Sequence, residues 1–322
     1  MKIAFTSCFD ALVDSEQIVW DQVHAQAPEV LLLLGDTIYM DYFPRLGRPR
    51  KLSNQEFANE MYNRYKAQWS VESFRNLIAS VKRVGLTWDD HDFAWNGSCG
   101  AGTNRKKAVP REKSRISKNL FLQFKGRVQQ KNITSAYPNQ PSIDQLLAGD
   151  DTGIEDTFDY GSIRIIMLDG RTYREDPSDD KDDDEMSTRS LLGKAQRTWL
   201  EDQVRTGNGL KLLCSGSTLT RSGESWDHYM DYQWLIDKRF KKTVVLSGDI
   251  HKNATQLHDG YLFEATSSGA ALPRIGGGSG NFGILELEGG QVKIALYEKD
   301  GLDKQKTLPI LFVPGLQSSI TH

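Results

Sequence analysis

The sequence predicts an α/β protein whose buried parallel strands alternate with helices. Apolar runs without alternation, such as 30–34 and 243–247, are typical of strands covered on both faces. Segments with helical periodicity lie between those runs. After residue 253 the pattern changes to short strands with hairpin-type turns at Asp259-Gly260 and Gly289-Gly290. This change indicates that the last part of the sequence forms antiparallel strands.

The elements are expected in a regular order, each justified by its periodicity or its flanking turn residues. They are a strand at 2–7, a helix capped by Ser15 and running to Ala27, a strand at 30–34, helices at 53–68 and 71–80, a strand at 83–88, a helix ending near Lys125, a strand at 164–168, a helix at 193–205, a strand at 211–215, a helix at 232–239, a strand at 243–247, and short strands at 254–258, 261–266, 282–288 and 291–297. Segment 126–157 shows no regular pattern. Since no linker marks a boundary, we predict a single domain over 1–322, with 301–322 as a tail or lid.

Composition excludes several classes of protein. The 322 residues carry a net charge of −3, which gives no case for a nucleic-acid or membrane partner. The three cysteines (Cys8, Cys99 and Cys214) form no disulfide framework and suit a reducing compartment. No apolar run reaches the roughly 18 residues of a membrane span. No signal-peptide pattern opens the sequence, so we predict a cytoplasmic protein, with a removed export signal as the alternative.

Two apolar runs end in the same dipeptide. Residues 30–34 lead into Gly35-Asp36, and residues 243–247 lead into Gly248-Asp249, with His251 two positions later. An aspartate after a strand is often only a turn former or a helix cap. Because open α/β sheets bind ligands beyond the carboxyl ends of their strands, the recurrence favours a functional site.

Several strands end in a side chain that can bind a metal ion. These residues are Cys8, Asp36 with Tyr39, Asp90 with His91, and Asp249 with His251. Carboxylates crowded at one sheet edge would repel one another, and bound cations remove that conflict. Two metals sharing a carboxylate also suit displacement at phosphorus. The mixture of thiolate, phenolate, imidazole and carboxylate donors favours one trivalent or borderline ion beside one hard divalent ion.

Together these motifs resemble the PhoD-like alkaline phosphatase and phosphodiesterase family, a branch of the calcineurin-like metallophosphoesterases. The resemblance covers roughly residues 2–270. It is carried by Ser7-Cys8, Gly35-Asp36-Thr37-Ile38-Tyr39, Trp88-Asp89-Asp90-His91-Asp92, Leu168-Asp169-Gly170-Arg171, Leu192-Gly193 with Gln196 and Trp199-Leu200, Ser225-Trp226-Asp227, and Ser247-Gly248-Asp249-Ile250-His251.

The resemblance implies a four-layer α/β/β/α sandwich with mixed sheets and a centre that uses Fe³⁺ with Ca²⁺. Other divalent ions, such as Mn²⁺, Zn²⁺ or Mg²⁺, are alternatives. The positions that match the iron ligands are Cys8, Asp36, Tyr39 and His251. Asp36 would bridge to the calcium side, where Asp249 and either Asp90 or Asn96 would also bind.

The resemblance further implies a metal-dependent phosphoric ester hydrolase that uses water activated at a binuclear or larger centre. His91 matches the histidine that contacts phosphate or protonates the leaving group. Arg171 matches the arginine of the Leu-Asp-x-Arg motif, although an ion pair with Asp169 is its alternative. His228 departs from the family's usual glycine and is a candidate proton donor.

The expected partner is a small phosphoester, and a nucleic acid enters only as a phosphodiester substrate. The basic run 105–115 would help to attract anionic esters if it flanks the pocket. Two other functions stay open: an inactive phosphoester-binding protein on the same fold, and a metal-free thiol hydrolase at Cys8. The preference between monoester and diester, and the oligomeric state, are not determined by the sequence.

Overall fold

The computed structural model of the chain describes residues 1–42, 49–177, 188–272 and 280–309. Its strands are β1 (Lys2–Thr6), β2 (Val30–Leu34), β3 (Arg83–Thr87), β4 (Asp156–Tyr160), β5 (Ile163–Met167), β6 (Leu210–Ser215), β7 (Thr243–Ser247), β8 (Ala254–His258), β9 (Leu262–Thr266), β10 (Phe282–Glu288), β11 (Gln291–Glu298) and β12 (Gly301–Pro309). Its α-helices are α1 (Val19–Ala25), α2 (Asn54–Ser70), α3 (Glu72–Ser80), α4 (Asp90–Phe93), α5 (Arg111–Gln130), α6 (Ile143–Leu147), α7 (Gly193–Arg205) and α8 (Met230–Lys238).

The strands form two mixed sheets. The first has the order β12-β11-β10-β1-β2-β3, and the second has the order β4-β5-β6-β7-β9-β8. Strands β1, β2 and β3 are parallel to one another, as are β5, β6, β7 and β9. The carboxyl ends of the parallel strands therefore meet at one edge in each sheet.

The unalternating run of β2 is explained by burial on both faces. Leu32 and Leu34 point between the two sheets, where they pack with residues such as Leu212 and Leu246. Leu31 and Leu33 point the other way and pack against the outer helices α1, α2, α3 and α5. A third apolar cluster covers the second sheet with side chains of α7 and α8. The predicted four-layer α/β/β/α sandwich is therefore confirmed.

The predicted first helix begins too early. Helix α1 starts at Val19, and no side chain caps it. The carboxylate of Asp14 instead accepts hydrogen bonds from the amides of Glu16 and Gln17, which keeps this segment in a turn. Ser15 is therefore not the cap of this helix.

Segment 126–157 is more regular than the sequence indicated. Helix α5 continues to Gln130, α6 lies in this segment, and β4 begins at its end. The signal for α6 is a capping box, in which Ser142 and Gln145 satisfy each other's backbone amides.

The expected tail or lid at 301–322 is wrong for its first part. Residues 301–309 form β12, which pairs antiparallel with β11 at the edge of the first sheet. The polar run Asp303-Lys304-Gln305-Lys306 concealed this strand, because main-chain hydrogen bonds rather than an apolar face hold it in place. Residues 310–322 lie outside the described ranges.

Candidate metal centre

The centre lies where loops from both sheets meet. Cys8 follows β1, Asp36 follows β2, Asp90 begins α4 directly after β3, and Asp249 follows β7. The loops approach one another closely: a Cβ placed on Gly35 would lie 2.7 Å from the Cβ of Asp89. A glycine at this position is therefore required by space, and also by its φ of 90°.

Four candidate ligands adopt the left-handed backbone conformation. Their φ angles are 62° for Cys8, 52° for Asp36, 75° for Asp249 and 52° for His251. Non-glycine residues rarely occupy this region, and strained residues of this kind cluster at functional sites. The backbone thus singles out four of the seven ligand positions that the sequence suggested.

The first group contains the softer donors. The ligand atoms of Cys8, Asp36 and His251 all lie within 4.8 Å of one another. The Cys8 Sγ is 3.3 Å from the Asp36 Oδ2. The Tyr39 hydroxyl lies 3.2 Å from the same Oδ2 and 3.2 Å from the His251 Nε2. The structure therefore brings together all four residues expected around the first ion.

The second group shares Asp36 with the first. Ligand atoms of Asp36, Asp90 and His91 also lie within 4.8 Å of one another. Asp249 belongs to neither group, yet its buried Oδ2 has no hydrogen-bond partner within the described residues. An orphaned carboxylate oxygen beside other acids is what a cation would satisfy.

Asp90 and Asn96, the two alternatives for one ligand position, differ in their surroundings. Asp90 is buried, and its Oδ2 accepts a hydrogen bond of 2.7 Å from the amide of Gly97. Asn96 is exposed, and its backbone amide donates to Asp41. The position of Asp90 fits a ligand better.

Burial makes this centre electrostatically unfavourable for the metal-free protein. It raises the pKa of Asp36 well above the usual range, aided by the neighbouring Cys8 and Asp90. Burial and nearby carboxylates raise the pKa of Asp249 to about 7. Burial also raises the pKa of the Cys8 thiol to about 11, which disfavours the free thiolate that a thiol hydrolase needs. Since cations stabilise the deprotonated forms of all three groups, the donor set fits metal ions.

His91 has a partner that the sequence did not reveal. Its Nδ1 lies 2.6 Å from an oxygen of Asp41, and its ring stacks on Tyr39 with centroids 4.1 Å apart. Its other nitrogen, Nε2, lies 3.9 Å from Asp90. Burial lowers the pKa of His91, but the carboxylates of Asp90, Asp36 and Asp41 outweigh burial and raise that pKa well above its usual value.

Arg171 is fully buried, and protein groups take up its donors. Its Nε lies 2.6 Å from Asp89, and its Nη1 lies 2.8 Å from Glu224. The remaining contacts are Nη1 to the Ser98 carbonyl at 3.2 Å, Nη2 to the Ser217 hydroxyl at 3.3 Å and Nη2 to Asp90 at 3.5 Å.

These five contacts match the five N–H groups of a guanidinium. The contact of Arg171 with a substrate phosphate stays a prediction, although described groups already lie at all five of its donors. Among the described residues, the contact of Arg171 with Asp169 is made by the backbone amide of Arg171.

His228 lies behind the centre. Its Nε2 is 3.2 Å from the carbonyl oxygen of Ser222, and its described contacts include none of the candidate ligands. The side chain of Ser222 hydrogen-bonds to Asp249. Among the described residues, Ser222 links His228 to the centre, and the role of His228 as a proton donor stays a prediction.

Three groups near the ligands were missed by the sequence analysis: Asp41, Glu224 and Ser268. The Ser268 hydroxyl lies 3.1 Å from the Cys8 Sγ and 2.9 Å from the amide of His251. None of these residues stands in a motif that would have marked it, and long-range packing alone places them here.

A two-sheet sandwich with paired cation-binding groups at its carboxyl-end rim is the architecture of the calcineurin-like metallophosphoesterases. The PhoD-like phosphatase family matches residues 3–272, so the chain belongs to that family. This finding confirms the resemblance noted in the sequence.

One solved structure supports this fold, and a second aligns more weakly. A dimetal phosphatase from Danio rerio aligns with a TM-score of 0.54 at 10% identity, covering 96% of this chain and 99% of that one. GAP50 from the inner membrane complex of Plasmodium aligns with a TM-score of 0.49 at 11% identity, covering 96% and 89%. No curated protein sequence matches the chain significantly. In the described part of the chain, no helix combines the length and apolarity needed to cross a bilayer.

Proposed function

We propose that this chain hydrolyses phosphoric esters, either monoesters or diesters or both, in a metal-dependent reaction. The observation that carries the proposal is the pair of ligand groups that share Asp36. A shared carboxylate would allow two cations to be held side by side, which is the arrangement suited to in-line displacement at phosphorus. Membership of the PhoD-like phosphatase family supports the same reaction class.

The first group is assigned to Fe³⁺, with Cys8, Tyr39, His251 and Asp36 as ligands. Burial raises the pKa of Tyr39 well above its usual value, as it does for Cys8. An ion that displaces both protons must be a strong Lewis acid, which favours a trivalent cation over a divalent one. Burial lowers the pKa of His251, which keeps its imidazole neutral and able to bind metal.

The Asp36–Asp90 side of the centre is assigned to Ca²⁺, with Asp249, from outside the two groups, as the third ligand, because all three are hard oxygen donors. Mn²⁺, Zn²⁺ or Mg²⁺ are the alternatives for this position. Bound cations would supply an acidified water and a counter-charge for the phosphoryl oxygens.

The protein's own residues would position the reacting groups and protonate the leaving oxygen. His91 holds a proton that it can donate to the leaving oxygen from Nε2, since Nδ1 is bound by Asp41. Asp41 fixes the orientation of the ring. Arg171 acts indirectly, because its ion pairs hold the carboxylates of Asp89 and Asp90 in place.

The test is hydrolysis of p-nitrophenyl phosphate and of its bis ester by metal-loaded protein. We expect His91→Ala and Asp36→Asn each to abolish turnover, whereas Asp300→Asn, an exposed control, keeps it. Near-wild-type turnover in His91→Ala or Asp36→Asn would remove the proposed roles. Saturable binding of the esters by wild-type protein without turnover would favour the inactive binding protein instead.

A further inference from the structure

The basic segment after Gly102 divides into two parts with different surroundings. In helix α5, Arg111 and Arg115 both pair with Asp151, and Lys118 pairs with Asp150. These three charges of the helix are therefore compensated locally, while Lys113 donates to the carbonyl oxygens of Arg50 and Leu52. The loop part, Arg105–Lys107, has no carboxylate within ion-pair distance among the residues that the structure describes.

The backbone of this loop is firmly held. The amide of Cys99 donates to the Lys107 carbonyl at 2.9 Å, and the Trp95 indole donates to the Lys106 carbonyl at 3.0 Å. Asp176 anchors the start of the loop through the amide of Asn104 at 2.8 Å. A fixed backbone lowers the entropic cost of using one of these side chains for binding.

Lys107 lies beside Gly97, the residue whose amide binds Asp90. A Cβ placed on Gly97 would lie 3.5 Å from the Cε of Lys107, and the amide of Gly97 donates to Asp90 at 2.7 Å. With ordinary backbone dimensions, the Lys107 Cε lies within roughly 9 Å of this carboxylate.

The neighbouring carboxylate does not neutralise Lys107. The Oε1 of Glu224 also lies against Gly97, 2.6 Å from the same Cβ position, while its Oε2 is 2.8 Å from Arg171 and 3.6 Å from Arg174. Its charge is therefore already compensated by two buried arginines. Lys107 itself is half-buried, so its field is screened less than that of a fully exposed lysine.

We propose that Lys107 determines substrate specificity by selecting phosphoesters whose leaving group carries a second anionic group. A carboxylate or a second phosphate on the far side of the leaving group would meet the Lys107 ammonium while the scissile phosphate lies at the centre. This inference rests on the proposed phosphoesterase function and extends it to the class of substrate.

The experiment compares two substrates that differ by one distal charge, phenyl phosphate and 4-carboxyphenyl phosphate. The variant Lys107→Met removes the charge at similar length, and Lys107→Arg keeps the charge. Lys66→Met is the matched control, because it makes the same change of net charge on the exposed face of α2. The ratio of kcat/KM for the two substrates is measured for each protein, which cancels effects common to both.

We expect Lys107→Met to lower this ratio about fivefold, the size of one partly screened ion pair. Lys107→Arg and Lys66→Met should keep the wild-type ratio. An unchanged ratio in Lys107→Met, or an equal fall in Lys66→Met, would overturn the assignment.

Calorimetric binding of phenylphosphonate and 4-carboxyphenylphosphonate to the metal-loaded proteins gives a second readout that needs no turnover. A preference of the wild type for the carboxylated ligand that is lost in Lys107→Met supports the inference, even if the chain proves to be an inactive binder. Equal affinity of the wild type for both ligands contradicts it, whether or not the esters are hydrolysed.

Discussion

The carboxylate of Asp41 lies 2.6 Å from the Nδ1 of His91, and its second oxygen accepts a hydrogen bond of 2.8 Å from the amide of Asn96. Burial tends to raise the pKa of Asp41, but the hydrogen bond and charge of His91 lower it below its usual value. Asp41 thus stays ionised and orients the imidazole, which leaves Nε2 as the nitrogen that faces the centre.

Replacing Asp41 should therefore impair catalysis more than binding. We expect Asp41→Asn to lower kcat about 10- to 100-fold, the usual effect of removing an orienting partner, with KM nearly unchanged. Steady-state kinetics with p-nitrophenyl phosphate measure both constants, and Asp300→Asn serves as the exposed control. A fall in kcat/KM that came wholly from KM would contradict the orienting role.

A tyrosine bound to Fe³⁺ should colour the protein. We expect purified wild-type protein to be purple to red-brown, and Tyr39→Phe to lose the absorption band. Tyr42→Phe should keep it, because Tyr42 packs on the same small cluster but its hydroxyl has no described contact with Asp36 or His251. Visible spectra with metal analysis provide the measurement. A colourless, iron-free and active wild-type enzyme would refute the iron assignment.

Metal removal should make stability depend on pH. The folded metal-free protein holds protons on Asp249 and Asp92, each with a pKa of about 7, and on Asp36, whose pKa is raised well above the usual range. The unfolded chain releases these protons near pH 4. Because the folded state binds more protons, the free energy of unfolding falls as the pH rises from about 4 to about 7.

The two histidines of the centre act in opposite directions. The raised pKa of His91 adds to the loss of stability at high pH, and the lowered pKa of His251 opposes it below the unfolded value near 6.5. Three carboxylates and His91 lower the free energy of unfolding as the pH rises, and His251 alone opposes them, so the net effect is a loss of stability. Urea unfolding at pH 5, 6, 7 and 8 should show a decline of about 2–4 kcal/mol with chelator and a smaller one with metals. Equal slopes with and without metals would show that cations do not relieve this repulsion.

Arg171 should prove to be a residue of stability as well as of positioning. Removing one partner from a buried ion pair costs about 3–5 kcal/mol, so Arg171→Met should lower the free energy of unfolding by that order. Arg171→Lys should recover only part of this free energy of unfolding, because an ammonium offers three donors where the site uses five.

The comparison is Arg205→Met, which removes an exposed pair with Glu201 and should cost less than about 1 kcal/mol. Urea denaturation of the metal-free proteins measures each value. If Arg171→Met kept wild-type stability but lost activity, the result would favour a direct contact of Arg171 with the substrate phosphate.

Much of the fold follows from local pattern. The strand before Asp249 and the helix at 193–205 have the predicted bounds, because hydrophobic periodicity and flanking turn residues are properties of neighbouring positions. Strand β12 escaped prediction because it has no apolar face that would reveal it, and its single strand partner is recognised only in the folded sheet.

The sequence by itself determined which residues end the strands, and thus that Cys8, Asp36 and Asp90, which follow neighbouring parallel strands, face a common rim; the packing of the second sheet added Asp249. Strand polarity and order suffice for that inference, since parallel strands present their carboxyl ends on one side.

Only the tertiary structure decided which side chains hold the residues of that rim in position. Arg171 and its partner Asp89 are 82 positions apart, and His91 and Asp41 are 50 positions apart. Such contacts depend on the direction of each side chain and on the approach of distant loops, which no local pattern encodes. For the same reason, the folded chain alone separates Arg111, which pairs with Asp151, from Lys107, which has no ion pair among the described residues.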